Sequence, residues 1–238
     1  MNTHTPPLVH TSVLVVGASR GLGLAIAETY ASRGARVTAT VRGETPSALK
    51  ALEGTASSRV EVERVDIDDA SQIDALARRL AGRAFDLLFV VAGVSLAPRD
   101  QPAADIDTAD FVRTMTTNAL GVIRTVERLE PLVVETGTIA VMSSGQGSVA
   151  DNVSGGFEVY RASKAALNQL MRSFAARRAN GRRALLLLAP GWIRTDMGGD
   201  GAGLDIDEAI PPLVDTVETQ RGEPGLRFLD RNGAPVAW

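Results

Sequence analysis

The chain has 238 residues, 45% of them hydrophobic, and a formal net charge of −3 with acids and bases interspersed. This length and apolar content predict one domain with a large core, and the absence of a basic block argues against nucleic acid as a partner. The chain has no cysteine, which excludes disulfides, thiolate catalysis and zinc–thiolate sites; it is compatible with a reducing cytoplasm, where we expect the protein to be located.

The N-terminal segment, residues 1–11, is polar and contains Pro6-Pro7. It has no cationic start followed by an apolar stretch, so we predict a flexible tail rather than a secretory signal, with one domain over residues 12–238. The longest apolar runs, residues 87–94 and 184–190, are too short to cross a membrane. They are typical of strands buried on both faces, and no membrane contact is expected.

Apolar strand-like runs alternate with helical patterns along most of the chain. This alternation predicts an α/β fold, a single-domain, doubly wound, seven-stranded parallel sheet with helices on both faces. Strands are predicted at residues 13–16, 36–41, 60–65, 87–91, 138–142, 184–188 and 226–229, and helices at residues 22–33, 71–80, 109–129 and 160–179.

A glycine-rich loop follows the first predicted strand and opens the first predicted helix. It reads Gly17-Ala18-Ser19-Arg20-Gly21-Leu22-Gly23. The glycines allow a tight turn and close approach of the backbone to a pyrophosphate at the helix N-terminus. The spacing G-x-x-x-G-x-G differs from the common G-x-G-x-x-G, and no Gly-Lys-Ser/Thr follows, which excludes a P-loop. We therefore predict a Rossmann-like dinucleotide site.

The end of the second strand indicates which dinucleotide binds. NAD-binding sites usually place an acid there, but this strand ends with Thr40 near that place and Arg42 just after it. Arg20 lies in the glycine loop. Two guanidinium groups and no carboxylate suit a 2′-phosphate, so NADP(H) is the predicted cofactor.

Tyr160 and Lys164 are four residues apart in a segment rich in helix formers. On a helix, such residues share one face. A phenol beside an ammonium group can have a lowered pKa, because the cation favours the phenolate, and it can then exchange a proton with an alcohol or carbonyl oxygen. The pair predicts a general acid/base.

Two hydrolytic alternatives lack the residues that they need. A serine hydrolase requires a base, nearly always histidine, but His4 and His10 both precede the first strand and no G-x-S-x-G motif occurs. The acidic cluster Asp66, Asp68 and Asp69 has no histidine or cysteine beside it, so no metal site is predicted.

Taken in order, these motifs resemble the short-chain dehydrogenase/reductase family over residues 12–238. The branch that they resemble most is that of C-factor-like and sniffer-like carbonyl reductases. The resemblance rests on the glycine loop, Asp66-Ile67, Asn118-Ala119-Leu120-Gly121, Ser143-Ser144-Gly145-Gln146-Gly147, Tyr160 with Lys164, Pro190-Gly191-Trp192-Ile193-Arg194-Thr195-Asp196-Met197, and the ending from Asp230 to Trp238.

The resemblance implies an NADP(H)-dependent oxidoreductase. Tyr160 would exchange the proton, and Lys164 would lower the pKa of Tyr160 and reach the nicotinamide ribose. Ser144 would hydrogen-bond the substrate oxygen, and Asn118 would help to hold a water chain to Lys164. The implied cofactor contacts are Gly17, Ser19, Arg20, Gly21, Leu22, Gly23, Thr40, Arg42, Asp66, Ile67, Ala92, Gly93, Asn118, Tyr160, Lys164, Pro190, Gly191, Ile193, Thr195 and Met197.

Two positions depart from the family pattern. Val16 stands where the family usually has threonine, and Val90-Val91 stand where it usually has two asparagines. A single loss would leave a buried polar partner unpaired, whereas the double replacement can be nearly neutral. We predict that Val16 packs against Val90 or Val91 in the adjacent strand.

By analogy with the family, the substrate pocket is formed by mostly apolar residues without an obvious cation. A neutral ketone, aldehyde or secondary alcohol is therefore the expected small-molecule substrate, and a homodimer or homotetramer the expected assembly. The alternative function is a non-catalytic NADP(H)-binding sensor or signalling protein on the same fold. The predicted pocket residues are Val94, Ser95, Gly145, Gln146, Phe157, Trp192 and Met197.

Overall fold

The sheet forms the centre of the molecule. In a computed structural model, which describes residues 9–53 and 59–238, seven parallel strands lie in the order β3-β2-β1-β4-β5-β6-β7. The seven-stranded parallel sheet predicted from the sequence is therefore confirmed. The strands are β1 (Ser12–Val16), β2 (Arg36–Val41), β3 (Val60–Arg64), β4 (Phe85–Val90), β5 (Val133–Met142), β6 (Ala184–Ala189) and β7 (Gly225–Asp230).

Helices cover both faces of the sheet. Leu14 and Val16 of β1 pack in a core with α3, α5 and α6, whereas Val13 and Val15 pack in a second core with α1, α2 and α7. This division follows from the alternation of side chains along a strand. The helices are α1 (Gly21–Ser32), α2 (Ser47–Glu53), α3 (Ala70–Arg79), α4 (Thr108–Met115), α5 (Val122–Leu129), α6 (Glu158–Arg177) and α7 (Ile206–Thr219).

The strand order reverses direction at β1, which pairs with β2 on one side and β4 on the other. Open α/β sheets bind ligands at such a reversal, beside the carboxyl ends of the strands. The loops after β1, β4, β5 and β6 are therefore the ones that build a site.

Two helices and one distortion were not predicted from the sequence. The short α2 has a single buried residue, Leu49, and so shows little periodicity. Helix α7 contains Pro211 and Pro212, which normally interrupt a helical pattern. The helix predicted over residues 109–129 is divided into α4 and α5 by a π-helical segment, Thr116–Gly121.

The N-terminal segment corrects the predicted tail. Residues 1–8 lie outside the described residues, but His10 is fully buried, and its Nδ1 and Nε2 lie 2.7 Å from Glu218 Oε1 and 2.8 Å from Thr138 Oγ1. The next backbone N–H, that of Thr11, donates to Asp86 at 3.0 Å. Residues 9–11 are thus part of the domain. A polar segment can be buried when the surrounding side chains satisfy its hydrogen bonds, and here Glu218, Thr138 and Asp86 do so.

The valines that replace the family's polar residues meet as predicted. Val16 and Val90 are register partners in adjacent strands, and both belong to the core shared with α3, α5 and α6. The packing of Val16 against Val90 is therefore confirmed. A backbone hydrogen bond also joins the two chain segments here, since the Val91 N–H donates to the Val16 carbonyl at 2.8 Å.

Candidate active site

A cavity of about 690 Å³ opens at the carboxyl ends of the strands. Its volume lies within the usual range for small-molecule sites. It brings together all the predicted site residues except Asn118. Its wall contains Gly17, Ser19, Arg20, Gly21, Leu22, Gly23, Thr40, Arg42, Asp66, Ile67, Ala92, Gly93, Val94, Ser95, Ser144, Gly145, Gln146, Phe157, Tyr160, Lys164, Pro190, Gly191, Trp192, Ile193, Thr195 and Met197.

The glycine loop is held in place by its neighbours. Gly17 has a φ of +97°, and a Cβ there would lie 2.7 Å from the Ala92 nitrogen, so only glycine fits. The Gly17 N–H donates to Thr40 Oγ1 at 3.2 Å, and the Ala18 N–H donates to the Thr40 carbonyl at 2.8 Å. Thr40 therefore positions the loop from the end of β2.

The residues of this loop fit a bound pyrophosphate. Helix α1 begins at Gly21, whose φ is +54°, so its first N–H groups and the positive end of its dipole lie at the cavity. A Cβ at Gly21 would meet only Thr195 Cγ2, at 3.8 Å, across the cleft. Thr195 therefore faces the loop across the cleft and would be in van der Waals contact with any side chain at residue 21.

The two arginines predicted to hold the 2′-phosphate differ in their surroundings. The guanidinium of Arg20 pairs with Asp196, which follows β6, and both side chains are largely exposed. Arg42 is exposed at the cavity beyond the end of β2, and none of the described residues pairs with it. Arg42 is therefore the cation that a phosphate reaches without breaking an ion pair.

The predicted adenine contact lies after β3. Asp66 and Ile67 both belong to the cavity wall, and Ile67 is buried. The Asp66 carboxylate accepts the N–H of Asp68 at 3.0 Å, which fixes its orientation. The sequence did not predict that Asp68 would in turn accept a hydrogen bond from Thr117, at 2.8 Å, and so join this loop to the π-helical segment.

Tyr160 and Lys164 lie on the first turns of α6, one turn apart. The Lys164 ammonium lies 5.8 Å from the centre of the Tyr160 ring and donates to the Met142 carbonyl at 2.9 Å. Burial lowers the pKa of Lys164 to about 8. The pair is therefore in a dry environment that disfavours charge on either group.

The pKa of Tyr160 shifts in the direction opposite to the one predicted. Burial raises the pKa of Tyr160 above its usual value, and the hydrogen-bonding contact with the Ser144 hydroxyl offsets only part of this rise. The Lys164 ammonium makes its direct hydrogen bond to the end of β5 instead. Tyr160 thus keeps its proton at neutral pH.

The two serines after β5 have different partners. The Ser143 hydroxyl is buried and donates to Asn168 Oδ1 on α6 at 2.6 Å. The Ser144 hydroxyl accepts the Gln146 N–H at 3.1 Å and contacts Tyr160. Because Ser143 is engaged with α6, Ser144 is the serine placed to meet a substrate oxygen.

Asn118 does not line the cavity, which corrects its assignment as a cofactor contact. Its side chain is fully buried within the π-helical segment, and Oδ1 accepts the Val94 N–H at 2.7 Å. Its Nδ2 donates to the Val94 carbonyl at 2.7 Å and to Ser163 at 2.9 Å. Asn118 therefore joins the loop after β4 to α6, behind the cavity wall.

The segment after β6 closes one side of the cavity. The Thr195 hydroxyl accepts the Gly198 N–H at 3.1 Å, and Trp192 Nε1 donates to the Gly198 carbonyl at 2.8 Å. Arg194 makes an ion pair with Asp205 at 2.7 Å and is absent from the cavity wall. These contacts order residues 190–198, here called the strap, along one wall of the cavity.

Several cavity residues were not predicted, and Arg99 corrects the expectation that no cation faces the substrate. It lies in the loop after β4, which the rule on strand ends could have indicated, but a sequence does not show which loop side chains turn inward. The other residues missed include Arg161, Asp196, Asp230 and Arg231. Among the described residues, no cluster suits a metal ion, and no helix is long and apolar enough to span a membrane.

The fold and the cavity define a dinucleotide-binding α/β protein, and comparison with known proteins gives its family. The family model described as short chain dehydrogenase matches residues 11–202. The chain therefore belongs to the short-chain dehydrogenase family of oxidoreductases, as its motifs indicated.

Individual relatives agree with this assignment. A Burkholderia multivorans protein solved with bound NADP is 50% identical, with a TM-score of 0.92 over 96% of this chain and 100% of that chain. A carbonyl reductase from Pseudomonas aeruginosa PAO1, solved with NADP, is 38% identical, with a TM-score of 0.86 over 95% and 99%. The C-signal protein of Myxococcus xanthus is 37% identical over 136 residues, which are 56% of this chain and 82% of that protein.

Proposed function

We propose that this protein is an NADP(H)-dependent oxidoreductase that interconverts a ketone or aldehyde and the corresponding alcohol. The observation that carries the proposal is the position of Tyr160. Its phenol is half-buried in the cavity wall beside Ser144, one helical turn from the Lys164 ammonium and in the same cavity as the glycine loop. A proton donor is thus held where a carbonyl and a dinucleotide can meet.

In the direction of reduction, the side chains manage the proton and the developing charge. NADPH, when bound, supplies the hydride that adds to the carbonyl carbon. Tyr160 donates its proton to the carbonyl oxygen, and the raised pKa keeps that proton in place until charge develops. Ser144 donates a hydrogen bond to the same oxygen, and Lys164 stabilises the phenolate that remains. Lys164 is also the residue that would meet the nicotinamide ribose.

The preference for NADP(H) follows from charge at the end of β2. Arg42 is available there, and none of the carboxylates in the described cavity wall comes from the end of β2, where it could bind ribose hydroxyls. The NADP bound in the Burkholderia and Pseudomonas relatives supports the same choice. We expect kcat/KM with NADPH to exceed that with NADH, and a ratio at or below unity would contradict the preference.

Substitution of Tyr160 by phenylalanine tests the mechanism. Tyr160→Phe removes only the hydroxyl, so NADPH should bind nearly as it does to the unaltered protein, while turnover of ketones and aldehydes should fall by about 100-fold or more. NADPH absorbance follows turnover, and NADPH fluorescence follows binding. Tyr30→Phe, in the core shared with α1, α2 and α7 and outside the cavity wall, is the matched control. Activity that survives in Tyr160→Phe would exclude this role.

A non-catalytic role is the second candidate, because one relative is named C-signal rather than for a reaction. On that alternative, the protein would bind NADP(H) as a sensor or signalling partner. A panel of ketones, aldehydes and secondary alcohols distinguishes the two functions. NADPH binding without turnover of any member would favour the sensor.

The assembly and location remain proposals. We expect a homodimer or homotetramer, since Phe111, Val112 and Leu120 expose 42%, 53% and 41% of their surface along one helical segment. A monomeric mass by light scattering would contradict this. A cytoplasmic location is expected as well, and fractionation of the source cells would test it.

A further inference from the structure

Arg99 lies at the cavity between two aromatic rings. Its guanidinium carbon is 5.5 Å from the centre of the Phe157 ring and 5.7 Å from the centre of the Trp192 ring. The three residues come from the loops after β4, β5 and β6, and all belong to the cavity wall. Contacts of this kind orient a guanidinium without neutralising its charge.

Arg161, which also belongs to the cavity wall, is engaged with the protein itself. The Arg161 guanidinium donates to the carbonyls of Gly156 at 2.9 Å and Gly155 at 3.0 Å. Arg231 belongs to the wall as well, and a terminal nitrogen of its guanidinium lies 3.0 Å from where a Cβ of Gly191 would be. Within the described part of the chain, the one ion pair of Arg99 is a loose one with Asp100, at 3.8 Å, and both side chains are more than half exposed. Such a pair contributes little, so Arg99 keeps its capacity for a ligand.

The backbone around Phe157 connects Arg99 to the catalytic tyrosine. Phe157 has a φ of +50° and is the only described non-glycine residue with a positive φ; it follows Gly155 and Gly156, which share this conformation. Its N–H donates to the Arg99 carbonyl at 2.7 Å, and its ring lies 6.5 Å from the Tyr160 ring, edge to face. Backbone strain of this kind persists where the surroundings impose it, commonly at functional sites.

We propose that Arg99 recognises a carboxylate at the far end of the carbonyl substrate. The proposal rests on the proposed reductase function and makes its substrate class more specific. The Arg99 guanidinium is one aromatic ring away from the Tyr160 phenol, so a short chain can reach both. A guanidinium matches a carboxylate with two parallel hydrogen bonds, which a neutral end group does not form. The substrate is thus an oxo acid whose carbonyl meets Tyr160 and whose carboxylate meets Arg99.

Matched substrates test the recognition. Straight-chain aldehydes that end in a carboxylate, from succinic to adipic semialdehyde, are each compared with their methyl ester, and NADPH consumption gives kcat/KM. We expect the acid of the best chain length to exceed its ester by about tenfold. Rising salt should reduce this preference, because the ion pair is partly exposed. Equal values for acid and ester at every chain length would overturn the proposal and leave the reductase function standing.

Variants assign the preference to Arg99. Arg99→Gln should abolish it by lowering kcat/KM for the acids alone, while Arg99→Lys should retain part of it. Arg113→Gln removes the same charge from α4, outside the cavity wall, and should leave the preference unchanged. NADPH binding, measured by fluorescence, shows that each variant is folded. If Arg99→Gln still preferred the acids to their esters, Arg99 would not be the residue that binds the carboxylate. If the unaltered protein turned over no aldehyde, whether acid or ester, the reductase function itself would be contradicted.

Discussion

At the scale of single residues, the site holds two ionisable groups, Tyr160 and Lys164, whose charged forms are disfavoured by burial. Burial keeps Tyr160 protonated. Burial also lowers the pKa of Lys164 to about 8, and the Lys164 ammonium donates to the Met142 carbonyl at the end of β5. Ser144 faces the cavity because Ser143 is engaged with Asn168. The sequence predicted which residues meet here. It could not predict the direction of the tyrosine pKa shift, which depends on how much water the fold excludes.

Substitution of Arg42 by glutamine should impair the use of NADPH selectively. Loss of a charge-assisted hydrogen bond to the 2′-phosphate should lower kcat/KM for NADPH by about 10–100-fold, with a smaller change for NADH. Steady-state kinetics with both cofactors measures the ratio. Arg36→Gln, at the opposite end of β2, is the control and should change neither value. Equal losses with NADPH and NADH would place Arg42 away from the phosphate.

The pKa of Lys164 predicts a pH dependence. Because the folded protein binds this proton with a pKa of about 8 rather than 10.5, the ammonium charge is present below pH 8 and lost above it. We expect kcat/KM for NADPH, which reports on the free enzyme, to fall as pH rises through this value. Lys164→Arg keeps a cation at high pH, so its decline should move upward. An unchanged decline in that variant would assign it to another group.

At the scale of elements, the catalytic helix α6 is fixed by close backbone contacts with the turn after β5. A Cβ at Gly147 would lie 3.0 Å from Lys164 Cβ and 3.0 Å from Asn168 Nδ2. The Asn168 side chain also donates to the Gly147 carbonyl at 3.2 Å. The position of α6, and with it the geometry of the Tyr160–Lys164 pair, therefore depends on Gly147 having no side chain.

A single methyl group in this contact should disturb catalysis. Gly147→Ala would press on α6, and overpacking of this kind costs about 1–3 kcal/mol. We expect a lower midpoint of thermal unfolding and a lower kcat. For thermal stability, Gly145→Ala is the matched control in the same turn, since a Cβ there meets nothing within 4 Å; its kcat is not compared, because Gly145 lines the cavity. Equal thermal stability of the two variants would contradict this prediction, because it would show that α6 accommodates the added methyl group at residue 147 without loss of stability.

The elements also show where sequence patterns carry information and where they do not. Aliphatic runs identified the central strands because burial on both faces leaves little room for other residues. Helix α7 was missed although the Glu208 carboxylate accepts the Asp205 N–H at 2.9 Å at its start, because Pro211 and Pro212 obscure the pattern. The π-helical segment that carries Asn118 has no signature in propensity. Arg99 was missed because its role depends on three loops that converge only in the folded chain.

At the scale of the whole molecule, the start of the described chain is hydrogen-bonded to the end of α7 and to β5, outside the cavity wall. His10 contacts Glu218 at the end of α7 and Thr138 in β5, and the Val9 N–H donates to Glu218 at 2.6 Å. Burial raises the pKa of Glu218, but the hydrogen bonds from His10 and from the backbone N–H groups outweigh it and hold the pKa below its usual value.

Loss of this carboxylate should reduce stability without affecting chemistry. Glu218→Gln should lower the free energy of unfolding by about 1–3 kcal/mol, measured by urea denaturation, with kcat unchanged. Because the folded pKa is depressed, the stabilisation is present above pH 4.5 and lost as pH falls through the folded value, so acid should narrow the difference between the two proteins. Glu223→Gln, whose carboxylate is 63% exposed, is the control. A difference that does not shrink in acid would rule out this linkage.

The convergence of loops on one end of the sheet has a consequence for how such a protein can diversify. The proton-transferring groups lie in the turn after β5 and in α6, which are hydrogen-bonded to each other, whereas Arg99 and Trp192 belong to the loops after β4 and β6, which supply none of those groups. The loop after β4 and the strap after β6 can therefore be exchanged between relatives if the contacts of Val94 with Asn118 and the predicted cofactor contacts are kept, namely Ala92, Gly93, Pro190, Gly191, Ile193, Thr195 and Met197. We expect such chimaeras to inherit their substrate range from the donor while retaining the catalytic step of the recipient, which makes these two segments the natural targets for redesign.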